Sequence, residues 1–397
     1  LIKWFSMLQQ LINHSPDLKR LQDEGYELEV KGGYLLIHHI PYVTHLREVK
    51  YGILVSELSL ANSQRTIKPS THVINFIGEY PCNADGSIIT AIQHSNQQNL
   101  GHGIVINFSF SNKPQSGYVD YYEKVSTYSK ILSSPAKNID PLVTEKTFRI
   151  RENAIDTDVF QYIDTNSGRA KINLINEKVK GQKIAIIGLG GTGAYILDLL
   201  SKTPVSEIHL YDGDVFSQHN AFRSPGAAGK EDLDTVPSKV DYYFNQYSKI
   251  HQKITAHHSY VSTDNMKELS TMSFVFICID NDVSRKLIIQ FLLKSNIPFI
   301  DVGLGVNALD DSLIGTVRVT TGTHEKHNHL ADRIPFVNED NNDYNTNIQI
   351  AELNCLNAVL AVIKWKKLCG FYQDLREENH SSYSINVNQL TSDEVTA

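Results

Sequence analysis

Four glycines, Gly188, Gly190, Gly191 and Gly193, fall within six residues directly after the apolar run "KIAII". Such a loop leaves backbone N–H groups bare, which suits the phosphates of a nucleotide. Gly188, Gly190 and Gly193 have the G-x-G-x-x-G spacing. The first permits a tight turn, the second lets phosphate approach the backbone, and the third lets helix and strand pack closely. Asp212 follows nineteen residues after Gly193 and can take ribose hydroxyls. On these residues alone the fingerprint is that of a nicotinamide or flavin enzyme, with NAD first; a packing turn with no ligand is the plainer alternative. The next stretch, "YDGDVFSQHNAFR", brings Asp212, Asp214, Asn220 and Arg223 within twelve residues. A dehydrogenase needs a dry, mostly apolar site here to protect a hydride. Phosphoryl chemistry instead needs cations for the leaving charge, amide donors for phosphate oxygens and carboxylates for Mg²⁺. Lys239 in "VPSKV" and Asp280 with Asn281 in "FVFICIDN" extend that set. Phosphoryl chemistry fits this set better than hydride transfer.

The combined pattern resembles the ThiF/MoeB adenylyltransferases, whose nucleotide-binding core also occurs in ubiquitin-activating enzymes. The shared elements are G-x-G-G-x-G, D-x-D-x-V/F-x-x-x-N-x-x-R, a lysine at P-x-K, and C-x-D-N, over about residues 180–370. The resemblance implies that Asp212 holds ribose with Asp214 nearby, and that Asn281 lies in the nucleotide site. It implies that Asn220, Arg223 and Lys239 hold the triphosphate and that Asp280 ligates Mg²⁺. It further implies a homodimer in which the partner lends an arginine from an N-terminal segment. Arg169 in "TNSGRAKINL" stands at that place, with Arg149 and Arg151 as weaker candidates.

The implied reaction is attack of a carboxylate on the α-phosphorus of ATP, releasing pyrophosphate and leaving an acyl-adenylate. A carboxylate is already ionised at neutral pH, so no general base is needed. Catalysis reduces to positioning and charge stabilisation by Arg223, Lys239, Arg169 and Mg²⁺ on Asp280. The implied substrate is the C-terminal carboxylate of a ubiquitin-like or sulfur-carrier-like protein, in a bacterial ubiquitin-like conjugation pathway that could supply a conjugating-enzyme partner. A peptide adenylyltransferase and a nucleotide-holding pseudoenzyme or interaction module are the rivals. For each charge taken singly, the plain alternative is a solvated or structural ion pair.

Two features common in such enzymes are missing: a cysteine in the loop after the last sheet strands, and a paired CxxC zinc site. Of the four cysteines, Cys278 and Cys355 read as core and Cys369 as a helix end. Cys82, in "GEYPCNADGS", is the one thiol to test as an acceptor, with an inert free thiol as the alternative. His324, His327 and His329 in "HEKHNH" could ligate a metal, stand exposed, or touch a substrate tail.

These residues need a frame. From Lys183 onward, short apolar runs alternate with helical periods, which predicts a doubly wound, mostly parallel α/β sheet of Rossmann-like type over 183–397. The last long helix, "NIQIAELNCLNAVLAVIKWKKLCG", is apolar on most faces and reads as buried. Residues 1–145 read as a smaller α+β domain: a helical start, four strand runs and the helix "YVDYYEKVSTYSKILSS". That order resembles the ubiquitin-conjugating and RWD-like folds, and "FIGEYPCNADG" is similar to the Tyr-Pro segment after their third strand. The resemblance implies a recognition domain, with a dimerisation or spacer domain as the alternative. Residues 146–182 read as a linker bearing the arginines.

Composition sets the outer limits. The chain has 397 residues, enough for two or three domains, and is 41% apolar and 20% charged. A formal net charge of -7 argues against a general nucleic-acid binder. No apolar run reaches membrane-spanning length, and the start lacks a signal-peptide pattern. The first methionine is Met7, so residues 1–6 read as trimmed or added sequence. Few cysteines and no CxxC pair fit a reducing cytoplasm.

Overall fold

A computed structural model describes residues 7–151, 159–336 and 348–393. Residues 1–6 and the 337–347 part of the polar loop lie outside the described residues. Two compact units divide the chain: the part before Val159 together with Tyr162–Glu177, and Val159–Gln161 together with the chain from Lys178.

In the first unit, α1 (Met7–His14) and α2 (Pro16–Asp23) lead into β1 (Glu27–Lys31) and β2 (Tyr34–Val43). Then come β3 (Val49–Glu57), the short pair β4 (Leu60–Asn62) and β5 (Arg65–Thr66), β6 (Val73–Ile77), β7 (Gln93–Asn99) and β8 (Val105–Ser111). The main sheet has the order β1-β2-β3-β6-β8-β7 and is antiparallel throughout. Four strand runs become six strands for two reasons. The first run folds back on itself at Gly32-Gly33, and β7, "QHSNQQN", is polar. β7 is an edge strand whose Gln97, Gln98 and Asn99 face water, so no apolar pattern marks it. α3 (Tyr121–Ile139) sets Tyr121, Val125, Tyr128 and Leu132 into one core with Leu35, Ile37, Leu54 and Phe76 of the sheet. α4 (Thr165–Ala170) and α5 (Asn173–Asn176) complete this unit.

The second unit begins with β9 (Lys183–Ile187), α6 (Gly191–Ser201), β10 (Glu207–Tyr211), α7 (Gln218–Ala221), α8 (Lys230–Asp234) and α9 (Lys239–Tyr247). β11 (Ile254–His257), β12 (Phe274–Ile277), α10 (Asp282–Lys294), β13 (Phe299–Leu309) and β14 (Ser312–Gly322) follow. α11 (Leu330–Arg333), α12 (Ala351–Leu368), β15 (His380–Ser384) and β16 (Gln389–Ser392) close it. The sheet order is β11-β10-β9-β12-β13-β14-β15-β16, parallel through β13 and antiparallel beyond. This is the doubly wound, mostly parallel sheet that the alternation predicts. β15 and β16 escape the sequence reading because β15 is Ser-rich and half open to water and β16 is mostly exposed.

α12 corrects one expectation. It is buried along a stripe that includes Asn354, Asn357, Ala361 and Trp365, while Ile363 and Leu368 remain open to water. Among the described residues no helix is long and apolar enough to cross a membrane.

Candidate functional site

β9 ends at Ile187, and the chain turns at Gly188 with φ +90°, a left-handed backbone that glycine enters without strain. A Cβ on Gly193 would lie 2.0 Å from the Gly188 carbonyl oxygen, so only glycine lets α6 pack this close to the turn. A Cβ on Gly191 would lie 2.0 Å from Asn354 Nδ2 on α12. Around Gly190 the position is reversed, with nothing within 4 Å of where a Cβ would stand. Gly190 is the N-cap of α6, so its open side offers a ligand the helix N-terminus.

The loop faces a cavity of about 1010 Å³ at the carboxyl ends of β9, β10 and β12, where the strand order reverses. Gly188, Gly190, Gly191, Asp212, Asp214, Arg223, Lys239, Asp280 and Asn281 all line it. Asp212 is 4% exposed, and its two oxygens accept the backbone N–H groups of Leu189 at 2.7 Å and Asp214 at 2.8 Å. Its carboxylate therefore fixes the shape of the glycine loop. Lys239 starts α9 and is buried; its Nζ lies 2.7 Å from Asp214 and 3.5 Å from Asp212. The Lys239 hydrogen bond, and then the Tyr260 hydroxyl, hold the Asp214 carboxyl below its usual range. Arg223 differs from Lys239. Its Nε is buried without a hydrogen-bond partner, and among the described residues no carboxylate pairs with its guanidinium. Asp280 stands exposed just beyond β12, and the Asn281 side chain caps α10 by accepting the Ser284 N–H at 2.8 Å.

Two expected residues lie elsewhere. Asn220 does not line the cavity: it is buried, and its Oδ1 accepts the Ser217 N–H at 2.9 Å, capping the short helix that leads to Arg223. Arg169 is exposed on α4 and belongs to the first unit. Arg151 is engaged inside that unit, 2.6 Å from Glu27 and 3.3 Å from Glu29.

The structure adds residues that motif reading missed. Tyr260 donates its hydroxyl to Asp214 and lines the cavity. Asp301 is fully buried, 3.1 Å from Arg285 Nε and 2.6 Å from Arg318 Nη2, and both arginines line the cavity. Asn354 accepts the Thr192 hydroxyl at 2.9 Å and donates to the Arg223 carbonyl at 3.4 Å, so one α12 side chain ties α6 to the arginine loop. Two asparagines three residues apart within the apolar stretch 353–363 of α12 were the available signal for Asn354 and Asn357.

The ThiF family matches residues 167–393. The chain belongs to this family. Residues 16–165 match a second family, a domain of unknown function, DUF6791. Over 156 residues this ThiF-family chain is 24% identical to ubiquitin-like modifier-activating enzyme 5 of Drosophila virilis, covering 35% of the chain and 38% of that relative. The Drosophila mojavensis enzyme of the same name is 18% identical over 208 residues, covering 48% and 50%. The chain thus spans about half the length, or less, of these curated relatives. Among solved structures it is similar to PaaA, with a TM-score of 0.45 at 16% identity over 56% of this chain and 75% of that one. It is likewise similar to Escherichia coli MccB with ATP, with a TM-score of 0.44 at 15% identity over 58% and 72%.

In this ThiF-family chain two of the four thiols, Cys278 and Cys82, are poorly placed for transfer chemistry. Cys278 follows β12 and lines the cavity, but burial pushes its thiol well above the usual range. Cys82, read from sequence as a loop thiol, is 1% exposed and bridges Val43 and Ile88; burial raises its thiol too. Among the described residues no three His, Cys, Asp or Glu side chains gather to hold a metal. His324, His327 and His329 therefore form no ligand set, and His329 Nε2 bonds the Thr321 carbonyl at 2.9 Å.

Proposed function

We propose that the chain is an ATP-dependent adenylyltransferase that activates the C-terminal carboxylate of a ubiquitin-like protein, a sulfur-carrier-like protein or a peptide. The observation that carries this reading is Arg223: a guanidinium without a protein counter-ion among the described residues, on a cavity that also holds an open helix N-terminus at Gly190. Such a cation suits the phosphates of a nucleotide.

In the proposed step a carboxylate oxygen attacks the α-phosphorus of ATP. The bond to the bridging oxygen breaks, and pyrophosphate leaves with the electron pair. The Gly190 and Gly191 amides and Arg223 hold phosphate oxygens. Lys239 exchanges Asp214 for the triphosphate, while Asp212 shapes the loop and faces the ribose. Asn220 supports Arg223 by capping its helix, and Asn281 does the same for the turn that carries Asp280. Gly193 and Gly188 allow the turn. A divalent ion held by one or two carboxylates and the phosphates needs no preformed three-ligand cluster, so the donor set fits Mg²⁺ on Asp280. When bound, Mg²⁺ supplies charge neutralisation to the departing pyrophosphate. Arg169 is the arginine we assign to a partner subunit in a homodimer, and the first unit is the candidate domain for recognising the protein substrate or a conjugating partner. Four unbridged cysteines suit a reducing compartment such as the cytoplasm.

Isothermal titration tests this directly. ATP should bind with an affinity that rises with Mg²⁺, NAD should not bind, and Asp280→Ala should remove the Mg²⁺ dependence. Binding of NAD in place of ATP would overturn the reading.

A further inference from the structure

α12 carries two buried asparagines three residues apart, Asn354 at 1% exposed and Asn357 at 0%. They stand on one face of the helix and both line the cavity. Asn354 uses both ends of its amide inside the protein. Asn357 uses one. Its Nδ2 donates to the Gly303 carbonyl oxygen at 2.9 Å, whereas its Oδ1 is buried with no hydrogen-bond partner. The orientation of this amide is not arbitrary: a carbonyl oxygen only accepts, so the nitrogen must face Gly303 and the oxygen must be the free end. A buried acceptor left without a donor is costly and selects for whatever supplies one.

The position says what that donor is. Ile277 of β12 pairs with Asp301 of β13 on one side and with Ile187 of β9 on the other. Gly303, two residues past Asp301, thus stands about two interstrand spacings from the Gly188 turn, roughly 10 Å. In an acyl-adenylate the amide nitrogen of the terminal residue is four covalent bonds from the phosphorus, roughly 5 Å. One hydrogen bond of about 3 Å at each end spans the remainder. Nothing lies within 4 Å of where a Cβ on Gly305 would stand, which leaves room for a chain beside this strand.

We propose that Asn357 is a specificity-determining residue: its Oδ1 accepts the backbone N–H of the terminal residue whose carboxylate is adenylated. The cavity then admits carboxylates carried on a secondary amide and rejects those whose neighbouring atom has no hydrogen to donate. This inference rests on the adenylation reading above and concerns only the acyl half of the site.

The test uses three nonhydrolysable probes on the intact chain, by isothermal titration. Sulfamoyladenosine carries no acyl group, N-(acetylglycyl)sulfamoyladenosine carries the amide N–H, and its acetoxyacetyl counterpart replaces that N–H with an ester oxygen. The wild-type chain should bind the amide at least about tenfold more tightly than the ester. In Asn357→Ala, checked for folding by circular dichroism, that ratio should fall to about one while sulfamoyladenosine binds as before. Equal binding of amide and ester by the wild type overturns the role of Asn357 without needing any variant. Persistence of the preference in Asn357→Ala overturns it as well. Failure of sulfamoyladenosine itself to bind would defeat the adenylation reading, and this inference with it.

Discussion

Lys124 and Lys239 are both almost out of contact with water, one in each unit, and the chain treats them in opposite ways. Lys124, on α3, donates to the Ser56 hydroxyl at 2.9 Å and the Thr71 carbonyl at 3.0 Å, both neutral groups. Desolvation pushes its ammonium down to about 7, with Glu57 working weakly against it. Lys239 lies instead between two carboxylates, and the neighbouring Arg223 has no counter-ion among the described residues. The first unit removes the problem of a buried charge by favouring the neutral amine. The second balances its charge with groups that open onto a cavity, where an incoming polyphosphate can take their place. A buried lysine among neutral acceptors is a packing device; one that shares its counter-ions with a cavity is arranged for exchange.

The strongest way to break this contrast is Arg223→Ala. If Arg223 exists for a ligand, its loss should cut adenylation by about 100- to 1000-fold, the range for removing one preorganised donor from a transition state. The melting temperature should stay where it was, because no protein ion pair is lost. A clear fall in melting temperature with nucleotide affinity intact would make Arg223 structural, and the two units would then differ less than we argue.

A pair of glycine substitutions sharpens the same distinction within one loop. Gly193→Ala forces a methyl group to 2.0 Å from the Gly188 oxygen and should destabilise the second unit by roughly 1–3 kcal/mol in denaturant titrations. Gly190→Ala meets no atom within 4 Å, so the unfolding midpoint should hold while ATP affinity falls. Equal loss of stability in both variants would mean that the open side of Gly190 serves the fold.

What the sequence revealed follows the same division. Gly188, Asp212 and Asp280 were legible because each sits within a few residues of a strand end, and strand ends in a doubly wound sheet mark the site; Lys239 was legible as the P-x-K lysine at the start of α9. Arg223 was legible through its spacing from Asp212. Asn354 and Asn357 were not, because their meaning lies in contacts with Thr192 and Gly303, far away in sequence. Spacing alone does not separate a cap from a ligand contact, and Asn220 caps α7 without lining the cavity. β7 was missed because a water-facing edge strand needs no apolar side chains, and the burial of the Cys82 loop thiol was hidden by its polar neighbours.

The smallest effect concerns Lys124 itself and can be read from the pH dependence of stability. Its ammonium falls from the ordinary lysine value of 10.5 to about 7 in the fold. Between those values the unfolded chain holds a proton that the folded chain has released, so raising the pH favours folding. The slope is roughly 1.4 kcal/mol per pH unit. Below about 7 both states are protonated and the slope vanishes. Denaturant unfolding of the wild type and of Lys124→Met, compared from about pH 7 to about pH 9, isolates this contribution because other titrations cancel. The wild type should gain on the variant across that window. If the two run parallel, Lys124 keeps its proton in the fold. Glu57 would then be its counter-ion, as Asp214 is for Lys239, and a buried lysine in this chain would say nothing about ligand exchange until its partners were shown to face a cavity.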